Sequence, residues 1–285
     1  MKIASLFKVL LIIGILVALM LIAIDDRLVI KEYTHHDTPA KIATVAIITD
    51  LHGCFYGDGQ HELIKPLQDR RPDVILLGGD IYDDQMPHTH TDTLLSQLTA
   101  ITPNVYYVNG NHELYLPADE YAQLEHKISS YGIRILHGTG TQLAINGKPS
   151  GISIYGVSDP VFADKFWQDL QAVGTLANPR HTNILLAHRP EHIDDYLHHP
   201  FDIIVSGHAH GGQWRIPYVL NGLFAPNQGL FPKYASGEYW LNNKHTVGKR
   251  SQFIVSRGLA KESTRFVPRI FNRPELIFLS VPLSD

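Results

Sequence analysis

The chain has 285 residues, 44% of them hydrophobic and 18% charged, with 24 Lys and Arg against 28 Asp and Glu for a formal net charge of −4. That composition excludes a disordered chain, and the slightly acidic balance argues against a nucleic-acid binder, which carries a positive excess. A single cysteine, Cys54, excludes a disulfide framework or a cysteine zinc site, whereas 17 histidines leave imidazole chemistry open.

The first predicted element is a membrane helix. Residues 9–24 are an unbroken apolar run of 16, preceded by Lys2 and Lys8 and followed by Asp25-Asp26-Arg27. Reaching back through Leu6 and Phe7, past Lys8, gives 19 positions. About 20 cross a ~30 Å hydrocarbon layer, and Lys8 can snorkel to the headgroups. An anchor over 1–26 is the favoured reading. A cleaved signal peptide is the alternative, although the run exceeds a signal core of roughly 7–15 residues and no small-x-small site follows it. A buried core helix does not fit a segment without a polar face. The positive charges precede the run, so the N-terminus is expected in the cytoplasm. The catalytic part is then expected on the non-cytoplasmic side of the cell (inner) membrane, held by one pass. Residues 27–40 read as a connector with one possible strand, and 41–285 as one domain without linker or repeat.

Within that domain, residues 43–49 (ATVAIIT) form a β-rich run ending on Asp50-Leu51-His52, and a helical pattern follows over 61–70. Residues 73–77 (DVILL) end on Gly78-Gly79-Asp80, with a helix expected over 91–101. Residues 104–108 (NVYYV) lead into Asn109-Gly110-Asn111-His112-Glu113, ahead of a helix over 118–131 that Gly132 stops. Residues 183–187 (NILLA) end at His188, with a helical stretch over 190–197. Residues 201–205 (FDIIV) end on Ser206-Gly207-His208-Ala209-His210. Short apolar runs bounded by turn residues are the mark of fully buried strands, and their alternation with helices predicts an α/β fold with a largely parallel sheet. In such folds ligands gather outside the carboxyl ends of the strands, so one edge would collect all of these polar side chains. Gly78, Gly79, Gly110 and Gly207 are expected to let the backbone turn sharply there.

Taken singly, each motif has an ordinary structural reading. A strand-terminal Asp often caps the next helix, a lone histidine can be a satisfied core residue, and Asn and Gly dominate turns. Asp50-x-His52 and His208-x-His210 carry more weight, because positions i and i+2 share one side of an extended strand end. Together, at five successive strand ends, the motifs point to a metal cluster. Carboxylate, amide and imidazole ligands suit Mn²⁺, Fe or Zn²⁺ better than the oxygen-only sites of Ca²⁺ and Mg²⁺.

The ordered set Asp50-x-His52, Gly79-Asp80-x-x-Asp83, Gly110-Asn111-His112-Glu113, His188 and Gly207-His208-x-His210 resembles the calcineurin-like metallophosphoesterase superfamily. The stretches Ala187-His188-Arg189-Pro190 and Ser206 to Gln213, with the N-terminal apolar segment, narrow the resemblance to its bacterial membrane-associated, YaeI/YkuE-like subfamily. It covers residues 41–285, with Ala209 where many relatives carry Thr. The resemblance implies a sandwich of two packed, mostly parallel or mixed β-sheets flanked by helices and preceded by the transmembrane helix. It also implies two divalent metal ions, one held by Asp50, His52, Asp80 and His210, the other by bridging Asp80 with Asn111, His188 and His208. Two such ions, about 3.5–4 Å apart, can bridge a hydroxide and clamp a phosphoryl group for in-line displacement. His112 is implied as the group that protonates the leaving oxygen, with Asp83 expected to orient it and Glu113 as a second candidate for that support. Arg189 and Arg215 flank the motifs and are candidate phosphate contacts.

The other twelve histidines, among them His88 and His90 in a polar loop and the His198-His199 pair, are expected at the surface, and Cys54 as a bystander. Residues 214–234 are irregular, with Leu220, Leu223, Phe224, Leu230 and Phe231 among Gly, Pro and Asn. They form either a self-packed loop or an apolar rim that admits a lipid tail or touches the bilayer. The expected function is a membrane-anchored dinuclear phosphodiesterase acting on a phosphodiester or lipid-linked phosphate, with no nucleic-acid partner. Two alternatives stand beside it. A pyrophosphohydrolase of a lipid-linked nucleotide, of the UDP-diacylglucosamine type, would need a cytoplasmic-facing site against the charge bias. A catalytically silent binding module of the same fold would lack ligands that this chain has.

Overall fold

A computed structural model of the chain describes residues 2–36, 41–261 and 268–283. Residue 1 of the expected anchor, 37–40 of the connector, and 262–267 and 284–285 of the domain lie outside the described residues. The first helix, α1 (Lys2–Ala23), is long and apolar enough to cross a membrane, and its side chains from Leu6 to Ile22 stand exposed. The possible strand in the connector is real: β1 (Val29–Thr34) pairs in parallel with the last strand, β14 (Glu275–Pro282). The connector is therefore built into a sheet and leaves little free chain after the helix.

That first sheet also contains β2 (Ile42–Ile48), β3 (Val74–Gly78), β4 (Val105–Val108) and β5 (Arg134–Ile135), in the order β1-β14-β2-β3-β4-β5. The second contains β6 (Thr139–Ile145), β7 (Lys148–Gly156), β8 (Thr182–Leu186), β9 (Ile203–Ser206), β12 (Gly237–Asn242) and β13 (Arg250–Val255), in the order β12-β13-β9-β8-β7-β6. Between β9 and β12 the chain makes a two-stranded hairpin, β10 (Phe224–Ala225) with β11 (Gly229–Leu230). The ligand-bearing strands run parallel to one another within each sheet, as expected, although β2 is antiparallel to β14. They divide three and two between the sheets instead of sharing one. Apolar runs announce buried strands without saying which partner each one takes.

Alternation along the strands sorts the side chains into layers. Val45 and Ile47 of β2, Leu76 of β3, Ile154 of β7, Ile184 of β8 and Val205 of β9 meet in a core between the two sheets. Their sequence neighbours Ala46, Ile48, Leu77 and Tyr107 face outward beneath α2 (His61–Arg70), α3 (Thr89–Leu98) and α5 (Ala118–Ser130). Tyr155, Leu185 and Ile204 lie beneath α6 (Ala163–Leu176) and α7 (Ile193–Tyr196). Strands buried on both faces explain why the sequence shows continuous apolar runs there and no polar alternation. The helix α6 was not among the sequence-predicted elements, although Phe166, Leu170 and Val173 give it a buried stripe at helical spacing.

Ile154→Ala removes a fully buried side chain midway between the sheets. It is expected to lower unfolding free energy by about 2–5 kcal/mol in a denaturant titration. An unchanged midpoint would contradict the inter-sheet core.

Candidate metal centre

The loops after five strands converge at one end of the sandwich, and backbone hydrogen bonds tie them together. The Asp50 and His52 N–H groups donate to the carbonyls of Gly79 and Asp80, each at 3.0 Å. Within the second sheet, the Gly207 N–H donates to the His188 carbonyl at 3.0 Å. Two side chains complete the join: the His208 N–H donates to Asp50 Oδ1 at 2.8 Å, and the His112 N–H to Asp80 Oδ1 at 2.9 Å.

Most of the expected ligands are held by one polar atom while the other faces inward. His52 Nδ1 pairs with Asp83 Oδ2 at 2.9 Å, and its buried Nε2 has no hydrogen-bond partner. His188 Nδ1 donates to the Gly78 carbonyl at 2.8 Å, and Nε2 is left inward. His208 Nε2 meets Asn227 Oδ1 at 3.0 Å, which leaves Nδ1 inward. Asp50 Oδ2, Asn111 Oδ1 and His210 Nδ1 are likewise buried and unpartnered. Orphaned buried polar atoms carry a penalty unless something else satisfies them. Here they fall into two groups sharing one carboxylate. Ligand atoms of Asp50, His52, Asp80 and His210 lie within 4.8 Å of one another, as do those of Asp80, His188 and His208. The donor set therefore fits two divalent ions sharing Asp80, and the buried, unpartnered Asn111 Oδ1 is a further oxygen donor in these loops.

The backbone is strained where these side chains emerge. Asp50, His52, Asp80, His208 and His210 all have positive φ, between 46° and 64°. A non-glycine residue there costs on the order of 1 kcal/mol or more, and such residues cluster at functional sites. Of the four glycines expected to supply turns, only Gly79 has positive φ, at 86°. Gly110 serves close approach instead, because a Cβ there would sit 2.6 Å from the Asp80 nitrogen.

Charge is balanced within the cluster. Burial alone would raise the Asp80 carboxyl, but the imidazoles of His188 and His52 hold it well below the usual carboxylate range. Burial would lower His188, and Asp80 at 3.1 Å overrides it, pushing that imidazole up to about 10. His208 and His210 fall well below their ordinary value through burial and neighbouring cationic imidazoles. Burial and the Asp80 charge raise Asp50. Without ions, the site thus keeps its carboxylate charge only by holding protons on its own imidazoles.

Other expected residues take different places. Asp83 orients His52 rather than His112; its Oδ1 accepts the Gln85 and Met86 N–H groups, which fixes the carboxylate toward His52. The partner of His112 Nδ1 is Asp84 Oδ1 at 2.6 Å, with Asp83 Oδ2 farther away at 3.5 Å. Glu113 does not support the His112 ring. Fully buried, it accepts N–H groups from Asp80, Ile81, Tyr82 and Gly110, clamping the backbone that carries the bridging ligand. Arg189 is already bidentate on Asp159, at 2.7 and 3.0 Å, and also donates to Asn227 Oδ1 at 2.6 Å. Arg215 is engaged with the Ser236 hydroxyl. Neither is a spare phosphate clamp in this arrangement. Among the other histidines His35 is buried, bonded to Gln252 Oε1 and pushed down to about 4 by that burial, which corrects the expectation of a surface residue. Cys54 is buried beside the Lys261 N–H and joins none of the ligand clusters among the described residues.

Asp84, Asp159 and Asn227 were missed. Asp84 adjoins Asp83, and the two acids together were a usable signal. Asn227 sits in the irregular 214–234 segment, where no periodicity marks it.

A family model described as calcineurin-like phosphoesterase matches residues 43–212. An uncharacterized metallophosphoesterase of Helicobacter pylori (strain ATCC 700392 / 26695) is 27% identical over 70% of this chain and 55% of its own length. The phosphodiesterase YaeI of Escherichia coli K12 is 26% identical over 64% of each chain. The chain thus spans little more than half the length of the first of these relatives. A dimetal phosphatase from Danio rerio is 13% identical, with a TM-score of 0.49 over 77% of this chain and 88% of that one.

Wild-type chain is expected to bind two ions, counted by elemental mass spectrometry after dialysis, and Asp80→Ala to lose both. Asn227→Ala should weaken one ion about 10–100-fold, the usual cost of losing a partner that orients a ligating histidine. Equal weakening of both ions would show that Asn227 does not act through His208.

Proposed function

The chain belongs to the calcineurin-like phosphoesterase family, and on that premise we propose that it is a membrane-anchored, dinuclear metal-dependent phosphodiesterase. The observation that carries this reading is the set of inward-facing, unpartnered ligand atoms split into two groups around Asp80. Two divalent ions bound there would supply a nucleophilic hydroxide near neutral pH and offset charge on the phosphoryl oxygens. Borderline ions such as Mn²⁺, Fe or Zn²⁺ suit the four imidazoles.

The chain's own groups do the rest. Asp83 fixes the tautomer and direction of His52 and the Gly78 carbonyl does so for His188, while Asn227 and Arg189 together set the direction of His208, each 3.0 Å from its Nε2. His112 stands beside the cluster, outside the two groups that share Asp80, and is grouped instead with His52 and Asp83. Its ring is 27% exposed, and its Nδ1 is held by Asp84, which directs Nε2 away from that carboxylate. An imidazole so placed can deliver a proton to the leaving oxygen of an ester, with Asp84 holding the ring in direction.

A diester is favoured over a monoester because Arg189 is committed to Asp159 and Asn227, which suits a monoanionic phosphate better than a dianionic one. The similarity to a protein named phosphodiesterase YaeI points the same way. A silent binding module would have no use for a complete ligand set on strained backbone. For location, α1 is the proposed single-pass anchor in the cell (inner) membrane. Lys2 and Lys8 lie before it and Asp25-Asp26 after it, so the remaining chain is proposed to face the non-cytoplasmic side.

The full chain in detergent, loaded with Mn²⁺, should hydrolyse bis-(p-nitrophenyl) phosphate and lose that activity to a chelator. His112→Ala should keep both ions and much of this rate, because p-nitrophenolate needs little protonation. It should lose about 10²–10⁴-fold on a diester with an alkyl leaving group. Equal rates of mutant and wild type on the alkyl diester would remove His112 from the mechanism.

A further inference from the structure

Three successive residues link features far apart in the sequence. The Phe271 N–H donates to the carbonyl of Ala23, the last residue of α1, at 2.6 Å. Ile270 bridges to Trp214, and its carbonyl accepts the Arg215 N–H at 2.9 Å. Asn272 Nδ2 donates to the carbonyl of His210 at 2.7 Å. The end of the membrane helix, the start of the irregular segment and a ligand loop of the metal centre therefore meet along about 8 Å of chain. Arg273 reinforces the corner, donating to the Arg27 and Leu28 carbonyls at 2.8 and 3.2 Å.

The irregular segment buries Ala225 and Tyr234 and half-buries Leu220 and Leu223, but leaves its other large apolar side chains exposed. It folds as two turns, one closed by Ile216 and Leu220 and the other by the β10–β11 hairpin. The Leu223 N–H donates to the Trp214 carbonyl at 2.8 Å and the Phe231 N–H to the Leu223 carbonyl at 2.8 Å, so the turns are locked together. Their tips carry Ile216, Tyr218, Val219, Leu230 and Phe231 outward, with Val219 80% exposed and Leu230 and Phe231 66% each. A self-packed loop would have hidden them. Lys233 follows, exposed, with its ammonium 4.9 Å over the Tyr234 ring. Apolar tips with aromatic and cationic residues just behind them are the composition of a segment seated at a membrane surface.

We propose that the 214–231 turns seat in the same membrane leaflet that α1 leaves, and that they hold the metal centre against that surface to act on phosphodiesters of membrane lipids. The proposal rests on the anchored-phosphodiesterase reading and names its substrate class. The occupant of the apolar face is the bilayer because the face joins the exit of the spanning helix through Phe271 and Ile270. In the reaction, water's oxygen replaces the leaving alcohol on phosphorus. The cleaved P–O bond's electrons and water's proton end on that alcohol, and a lipid phosphomonoester remains.

The test uses the full chain in vesicles of phosphatidylethanolamine and phosphatidylglycerol. A fluorophore is placed at Val219→Cys or, as control, at Val247→Cys in the turn between β12 and β13, each in a Cys54→Ala background. Lipids brominated on the acyl chains should quench the probe at 219 and leave the one at 247 unchanged. In parallel, Leu230→Ser/Phe231→Ser is assayed on soluble bis-(p-nitrophenyl) phosphate and on p-nitrophenyl phosphatidate in the vesicles. The soluble rate should stay within about twofold of wild type, as both side chains are exposed, and the vesicle rate should fall at least tenfold. Unquenched probe at 219, or equal loss on both substrates, would overturn the proposal. So would concentration-dependent pairing of chains through this face in place of quenching, which would assign it to a second copy. Hydrolysis of neither substrate by the wild type would instead overturn the phosphodiesterase reading, while quenching at 219 would still report how the turns sit.

Discussion

A buried carboxylate that is to face two cations needs its other oxygen satisfied without surrendering its charge. The His112 N–H does this for Asp80, meeting Oδ1 at 2.9 Å and leaving Oδ2 turned toward His188 and His52. The backbone around Asp80 is fixed by a second buried carboxylate, Glu113, which gathers four N–H groups from the loops after β3 and β4. Charge-assisted bonds of this kind are stronger than neutral ones, and four of them offset much of the desolvation of Glu113. The bridging position thus depends on a carboxylate three residues past the glycine that Asp80 crowds. Remove that clamp and the backbone at Asp80 loses the bonds on its own N–H and on those of Ile81 and Tyr82.

The two sheets explain how so many ligands reach one point. Parallel strands in each sheet end at the same edge, and the inter-sheet core sets those edges face to face. Asp50 on one side and His208 on the other then meet directly, through the His208 N–H on Asp50 Oδ1. His52, His188 and His208 follow one rule: the nitrogen not facing the cluster is taken by a carboxylate, a carbonyl or an amide oxygen. Specificity for the protonated nitrogen is therefore written in groups outside the ligand set.

Much of this was legible in the sequence, for a definite reason. Strands buried on both faces must be apolar throughout, so a polar residue at the end of such a run stands out, and Asp50, Asp80, Asn111, His188 and His208 all did. The resemblance those residues carry supplied the sandwich itself. Side-chain pairing was not legible. Asp83 and Asp84 differ by one position, and which of them reaches His52 or His112 depends on the turn at Gln85 and Met86 that occupies Asp83 Oδ1. Asn227 could not be read either, because its role arises where a hairpin folds back onto a ligand 19 residues away. Arg189 looked available because sequence does not show that Asp159, 30 residues earlier, already holds it. Long-range pairings of this kind carry no periodic mark.

Between the end of α1 and the start of β1 lie only residues 24–28, and Asp25, Arg27 and Leu28 are themselves tied to Arg273. Five residues span less than about 18 Å even when extended. For a chain anchored by that helix, the catalytic domain has no leash on which to sample the surrounding fluid. For a substrate embedded in the same membrane, its encounters would be set by how densely that substrate is distributed across the surface and how quickly it diffuses sideways. Dilution of the bulk phase would leave the rate unchanged, and dilution of the substrate within the membrane would lower it.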